Sequence, residues 1–176
     1  MSVELILGGA RSGKSRYALQ HAIDHQQPVT WIATAHAYDE EMRERIQHHQ
    51  AERPNHWQTI ECPFALAQSL AATTQDFIVI DCLTLWLSNW LCSDNEAEWQ
   101  LQRHAFLMML EQHLSPKQRL LMVSNEVGFG IVPDNALARR FRDEAGRLHQ
   151  DIARIADNVT LVVAGIPLTI KNTHHP

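Results

Sequence analysis

The chain has 176 residues, 45% of them apolar, and a formal charge of −5. That length suits one domain with a real core, because a chain of this size buries about 70% of its unfolded surface. The acidic balance argues against wholesale binding of nucleic acid or anionic membrane. The three cysteines, Cys62, Cys82 and Cys92, form no C-x-x-C pair, so no disulfide framework is expected. No apolar run approaches the ~18–20 residues that span a bilayer. The first strand signal starts almost at the N-terminus, leaving no room for a signal peptide, and the expected compartment is the cytosol.

Strand and helix signals then alternate, which favours a mostly parallel α/β sheet flanked by helices. Val3-Glu4-Leu5-Ile6-Leu7 reads as a buried strand. Gly8-Gly9-Ala10-Arg11-Ser12-Gly13-Lys14-Ser15 follows it, in the pattern G-x-x-x-x-G-K-S, and a helical pattern follows that. This is the strand–loop–helix setting of a phosphate-binding loop. Glycines let successive N–H groups face one concavity, and the helix start adds its positive dipole end. Lys14 is expected to reach the β/γ-phosphates and the Ser15 hydroxyl to hold Mg²⁺.

Val29-Thr30-Trp31-Ile32-Ala33 reads as the second strand, with a loop from Thr34 to Tyr38 at its C-terminal end. Ligands bind at that edge in open parallel sheets. Residues 39–50 read as a helix with Asp39 as N-cap and acids in the first turn. Residues 56–61 alternate as a strand, and 63–73 read as a short helix. Phe77-Ile78-Val79-Ile80-Asp81 is an apolar strand ending in a carboxylate. Paired with a phosphate loop, that is the Walker B pattern, which places Asp81 beside the Mg²⁺.

Residues 83–91 form an apolar helical pattern whose Trp86 and Trp90 share a face and read as core or subunit packing. A longer helix covers 96–114, and Arg119-Leu120-Leu121-Met122-Val123 is the next buried strand. Residues 124–133 read as an irregular loop at the ligand edge. A long helix capped by Asp134 or Asn135 runs to about Ala156, with Arg139, Arg140, Arg142 and Arg147 along it. Val159-Thr160-Leu161-Val162-Val163 is a further strand, and 166–171 read as an antiparallel edge strand.

The helix at 39–50 ends in His48-His49. With Met42 at zero on a wheel of about 100° per residue, Ile46 falls near about 40° and His49 near about −20°. His49 thus shares the apolar stripe, whereas His48, near about −120°, lies with Glu41 and Arg45 on the polar face. Any imidazole chemistry is therefore expected of His48. A neutral imidazole is a competent nucleophile at phosphorus near pH 7. A metal site on this pair is disfavoured, because adjacent helical ligands diverge.

Across its length, in order, the chain resembles the bifunctional adenosylcobinamide kinase / adenosylcobinamide-phosphate guanylyltransferase family. The similar segments are the octet at 8–15, Ile32-Ala33-Thr34-Ala35, the run from Asp39 to His49, Arg53-Pro54 with Trp57 and Glu61, and Asp81-Cys82-Leu83-Thr84. Further on come Ser124-Asn125-Glu126-Val127-Gly128-Phe129-Gly130-Ile131-Val132-Pro133, Leu137-Ala138-Arg139, Phe141-Arg142-Asp143 and Ala164-Gly165-Ile166-Pro167. The Asn-Glu-Val-Gly-x-Gly-Ile-Val-Pro run is far more specific than the phosphate loop.

The resemblance implies one P-loop, RecA-like nucleotide-binding domain over residues 1–176. It implies phosphorylation of adenosylcobinamide by ATP or GTP, then transfer of GMP from GTP to adenosylcobinamide phosphate, through a guanylyl group on His48. Gly8 to Ser15, Ala33, Thr34, Ala35, Ala51, Glu52, Arg53, Pro54, Glu61 and Asp81 are implied to surround the nucleotide, with Mg²⁺ on Ser15 and Asp81. A homotrimer is also implied, with no nucleic-acid partner. The competing expectations are a P-loop small-molecule kinase without guanylyltransferase activity, and a nucleotide-switched binding protein.

Overall fold

The computed structural model describes residues 2–36, 40–51, 53–112 and 115–173; the side chains of residues 41, 42, 45, 48 and 49 lie outside the description. The strands are β1 (Ser2–Gly8), β2 (Val29–Ala33), β3 (Gln58–Glu61), β4 (Phe77–Asp81), β5 (Arg119–Asn125), β6 (Asn158–Val163) and β7 (Ile166–Asn172). The helices are α1 (Lys14–Asp24), α2 (Glu40–Ala51), α3 (Leu66–Ala71), α4 (Leu83–Cys92), α5 (Glu96–Gln112) and α6 (Ala136–Ile155). They build a seven-stranded sheet in the order β3-β2-β4-β5-β1-β6-β7. Every neighbouring pair is parallel except β6 with β7.

Alternation along each strand divides the apolar residues between two layers. Val3, Leu5, Ile78, Ile80, Leu120 and Met122 face a core completed by α3, α4, α5 and α6. Ile6, Trp31, Phe77, Val79, Leu121 and Val123 face the other side, where Ala18 and Ala22 of α1 and Trp57 pack on them. Both faces of the central strands are covered, which is why they read as unbroken apolar runs. Trp86 and Trp99 are fully buried in the first core and meet edge to face, their ring centroids 5.1 Å apart. Trp90 is also buried there, so the Trp86/Trp90 face is core.

The expected antiparallel edge is present as β7, joined to β6 by Ala164 and Gly165. Both have positive φ, 52° and 79°, as a tight hairpin requires. Several boundaries differ from the reading of the sequence. Ser124 and Asn125, expected in a loop, extend β5, because they pair in register with Leu7 and Gly8 of β1. The helix expected at 63–73 is limited to Leu66–Ala71. The expected cap Asp39 lies outside the described residues, whereas Asn135 does cap α6, its side chain accepting from Ala138 N at 3.0 Å. No helix among the described residues is long and apolar enough to cross a membrane.

Candidate active site

Strand β1 runs between β5 and β6, and the chain leaves its end through the phosphate loop into α1. The loop needs its glycines. A Cβ on Gly8 would lie 2.4 Å from Ser12 Oγ and 2.6 Å from the Val162 carbonyl oxygen. Gly13 has a φ of 95°, and a Cβ there would come within 3.0 Å of Gly165 Cα. The β6–β7 turn therefore supports the loop from behind, and Gly165 N–H donates to Ser12 O at 2.8 Å. Ser12 Oγ is buried without a hydrogen-bond partner among the described residues. Gly9, Ala10 and Arg11 are exposed at the loop's outer side.

Lys14 is buried, and its ammonium donates to Gly9 O at 3.1 Å. It lines a cleft together with Ser15, Ala33, Ala35, Arg53 and Asp81. The cleft lies at the C-terminal edge of β1, β2, β4 and β5, where ligands of open α/β sheets bind. The site residues drawn from the first, second and fourth strands are thus brought together. An ammonium, a hydroxyl, a carboxylate and a helix N-terminus converge, which is the chemistry that holds a polyphosphate and a divalent cation. Among the described residues, no group of three or more His, Cys, Asp or Glu could hold a metal alone. A cation here would be shared with substrate phosphates, as Mg²⁺ usually is.

Thr34 belongs to the cleft's frame. It is fully buried; its hydroxyl donates to Cys82 O at 2.6 Å and accepts from Cys82 N at 2.8 Å. Thr34 N–H also donates to Asp81 O at 3.1 Å. These bonds tie the end of β2 to the residue that follows Asp81. Burial, with the Asp81 charge second, pushes the Cys82 thiol up, so it stays protonated and unreactive. Arg53 lies over the Trp31 ring, 4.7 Å from its centroid, and Trp31 in turn stacks on Trp57. That stack fixes a cation at the cleft wall.

A second cleft adjoins the first, between α2 and the end of β3, and takes in Gln47, Gln50 and Glu61. Gln50 Nε2 donates to Glu61 Oε1 at 3.3 Å. Ala51 is exposed at the end of α2, Pro54 is half-buried, and Glu52 lies outside the described residues. The backbone at His48 belongs to α2, but its side chain lies outside the description. Among the described side chains of α2, Arg43, Ile46, Gln47 and Gln50 line this second cleft.

The sequence reading missed a polar cluster beside the cleft. His149, on the core face of α6 with Ala145, Leu148 and Ile152, is buried. Its Nε2 lies 2.7 Å from Ser124 Oγ, and its Nδ1 lies 3.7 Å from Glu126 Oε2. Burial pushes its pKa down, against the pull of the Glu126 charge, so the ring is neutral. The signal was in the sequence: His149 falls four residues after Ala145, on the apolar stripe of a long helix. The arginines of α6 are bound within the fold: Arg139 donates to the carbonyls of Pro133 and Asp134, Arg140 pairs with Glu96, Arg142 with Asp143 and Arg147 with Glu144.

Comparison with known proteins agrees with this geometry. A family model described as cobinamide kinase / cobinamide phosphate guanyltransferase matches residues 4–170. The chain is 47% identical over 170 residues to the bifunctional adenosylcobalamin biosynthesis protein CobP of Pseudomonas aeruginosa, covering 96% of each. It is 42% identical over 179 residues to the bifunctional adenosylcobalamin biosynthesis protein CobU of Salmonella typhimurium, covering 95% of this chain and 98% of that one. Among solved structures, the flagellar accessory protein FlaH of Methanocaldococcus jannaschii superposes with a TM-score of 0.52 at 12% identity, covering 97% of this chain and 78% of that one. The RadB recombinase does so with a TM-score of 0.50 at 14% identity, over 91% of this chain and 73% of that one. These two share the P-loop nucleotidase fold and nothing closer. The phosphate loop, the Asp81 strand and the near-full-length match together show that this chain is an enzyme belonging to the cobinamide kinase / cobinamide phosphate guanyltransferase family.

Proposed function

We propose that one cleft serves two reactions. In the first, the γ-phosphoryl group of ATP or GTP passes to the arm hydroxyl of adenosylcobinamide. In the second, GTP loses pyrophosphate to His48, and the guanylyl group then moves to adenosylcobinamide phosphate, giving adenosylcobinamide-GDP. The observation that carries this reading is the convergence of Lys14, Ser15 and Asp81 on a cleft whose other wall includes Ile46 of α2, the helix bearing His48.

The exposed rim of the loop and the N–H groups at the start of α1 take the phosphates, and Lys14 neutralises charge on the transferring group. Ser15 and Asp81, hard oxygen donors on one cleft wall, would hold Mg²⁺, which would supply further charge neutralisation to the transferring group. Glu61, Arg53 and the backbone of Ala33 to Ala35 surround the rest of the nucleotide. Guanylyl transfer puts the imidazole of His48 at the α-phosphorus and splits one displacement into two. The helix bearing His48 must then sit over the nucleotide, which makes α2 the moving part between the two reactions. The chain works as a single domain and assembles as a cytosolic homotrimer, which light scattering on the purified protein checks.

The deciding experiment is incubation with α-labelled GTP followed by denaturation. An acid-labile, base-stable label that disappears in His48→Ala, with the kinase step largely spared, supports the reading. A wild-type protein that takes no label leaves only a small-molecule kinase.

A further inference from the structure

The phosphoryl acceptors in the two reactions differ in one chemical respect. The cobinamide arm presents a neutral alcohol, whose proton must leave as the O–P bond forms. The imidazole of His48 and the phosphate of cobinamide phosphate present lone pairs that need no proton removed. A base is therefore needed in the kinase step alone, and nothing described so far supplies it. Lys14 and Ser15 bind phosphate and cation, and Asp81 is committed to the cation.

We propose that Glu126 is that base, and that His149, anchored by Ser124, is the residue that positions it. Strand β5 lies between β1 and β4, so the residue following it falls between the phosphate loop and Asp81. Asn125, the last residue of β5, lines the cleft with Lys14 and Asp81. The next residue, Glu126, is pinned to the loop by its N–H, which donates to Gly8 O at 2.9 Å. Its side chain is 19% exposed, enough to meet a substrate and little enough to be held. Oε1 accepts from Gly128 N at 2.5 Å, and a Cβ on Gly128 would lie only 2.8 Å from that oxygen. Oε2 faces Nδ1 of His149.

The Ser124 hydroxyl is fully buried. When it donates to Nε2 of the neutral ring, Nδ1 carries the proton and turns it toward Glu126. Burying His149 on the apolar face of α6 and Ser124 on β5 disfavours the fold unless each is paired, so the pair reads as a device for placing the carboxylate. Other carboxylates are engaged elsewhere: Glu144 with Trp99 and Arg147, Glu4 with Thr160. In the step itself the arm oxygen bonds to the γ-phosphorus, and the bond from that phosphorus to the bridging oxygen breaks. The nucleoside diphosphate leaves with the electron pair, the hydroxyl proton passes to Glu126, and solvent then removes it.

This inference rests on the two-reaction reading, and the test separates them. Glu126→Gln is assayed for ATP-dependent phosphorylation of adenosylcobinamide, for self-labelling with α-labelled GTP, and for GMP transfer to preformed adenosylcobinamide phosphate. Expected is a kinase kcat lowered by about 10²-fold or more, with KM for ATP unchanged and both guanylyl steps within threefold. Loss of labelling in the wild type would defeat the earlier reading instead. A kinase rate within threefold of wild type, or equal losses in both reactions, overturns the assignment. If Glu126→Gln does not fold, Glu126→Asp replaces it, with a selective kinase loss of about tenfold or more expected. For His149, the Asn variant keeps a donor toward Glu126, while the Leu variant keeps only apolar volume. Positioning predicts that Asn retains about tenfold more kinase activity than Leu, even where Leu is the more stable in urea. If kinase activity merely tracks stability, His149 is a packing residue and its positioning role is refuted.

Discussion

Replacing Thr34 with Val removes one hydroxyl and keeps the shape of the side chain. In the structure that hydroxyl makes two bonds to Cys82, one to its N–H at 2.8 Å and one to its carbonyl at 2.6 Å, in a fully buried setting. The carbonyl keeps a second partner, Trp86 N–H at 3.2 Å, so it loses one bond of two. No other bond to the Cys82 N–H is seen among the described residues. An orphaned buried N–H costs about 1–3 kcal/mol and the lost carbonyl bond about 1 kcal/mol, so roughly 2–4 kcal/mol of destabilisation is expected. Thr34→Ser keeps the hydroxyl and loses a methyl group, at about 1 kcal/mol. Urea unfolding of the three proteins gives the comparison. Kinase assays under folded conditions report whether Asp81, one residue before Cys82, has moved; a several-fold loss in Thr34→Val is expected. A Thr34→Val protein that unfolds within about 0.5 kcal/mol of wild type, or a Thr34→Ser protein that is the more damaged, refutes a structural role for the hydroxyl.

Lys14→Ala is expected to abolish the kinase step and self-guanylylation together, measured with γ- and α-labelled GTP, because both use the same loop. Gly13→Ala forces a side chain into positive φ and against Gly165; a loss of about 1–3 kcal/mol in urea unfolding is expected, with weaker nucleotide binding by calorimetry. Gly128→Ala meets only the far end of the Glu126 side chain, so its melting temperature should stay near wild type while kinase kcat falls several-fold. His149 is held below its ordinary imidazole pKa by burial, so the native protein binds fewer protons than the unfolded chain there. Its contribution to stability is present above about pH 6.5 and is lost as pH falls below that value. Urea unfolding at pH 7.5 and 5.5 should show a smaller acid loss in His149→Leu than in wild type.

The elements that build the cleft were legible because they obey local rules. The loop octet, the apolar strand ending at Asp81 and the alternating strand and helix signals each announce themselves within a few residues. The antiparallel β7 was legible for the same reason. What escaped depends on partners far along the chain. Ser124 looked like loop because it is polar, yet it is a strand residue, held in register with Leu7. Thr34 reads as a nucleotide contact from its place in a motif, but its side chain is spent on Cys82, 48 residues away. The His149, Ser124 and Glu126 cluster joins α6 to the end of β5, and no spacing rule spans that gap. The wheel separates two faces of α2, but helical spacing alone does not say which face a cleft will meet.

The support given to the phosphate loop by the β6–β7 turn makes the pocket depend on the far end of the fold. Strand β1 precedes the other strands in the chain, yet its neighbours β5 and β6 begin at residues 119 and 158, and the glycine that braces the loop is Gly165. The nucleotide pocket is thus assembled by contacts between segments more than 100 residues apart, the kind of long-range closure that slows folding. A chain cut short of Gly165 leaves Ser12 and Gly13 without that brace, so tight nucleotide binding is expected only once the hairpin has docked.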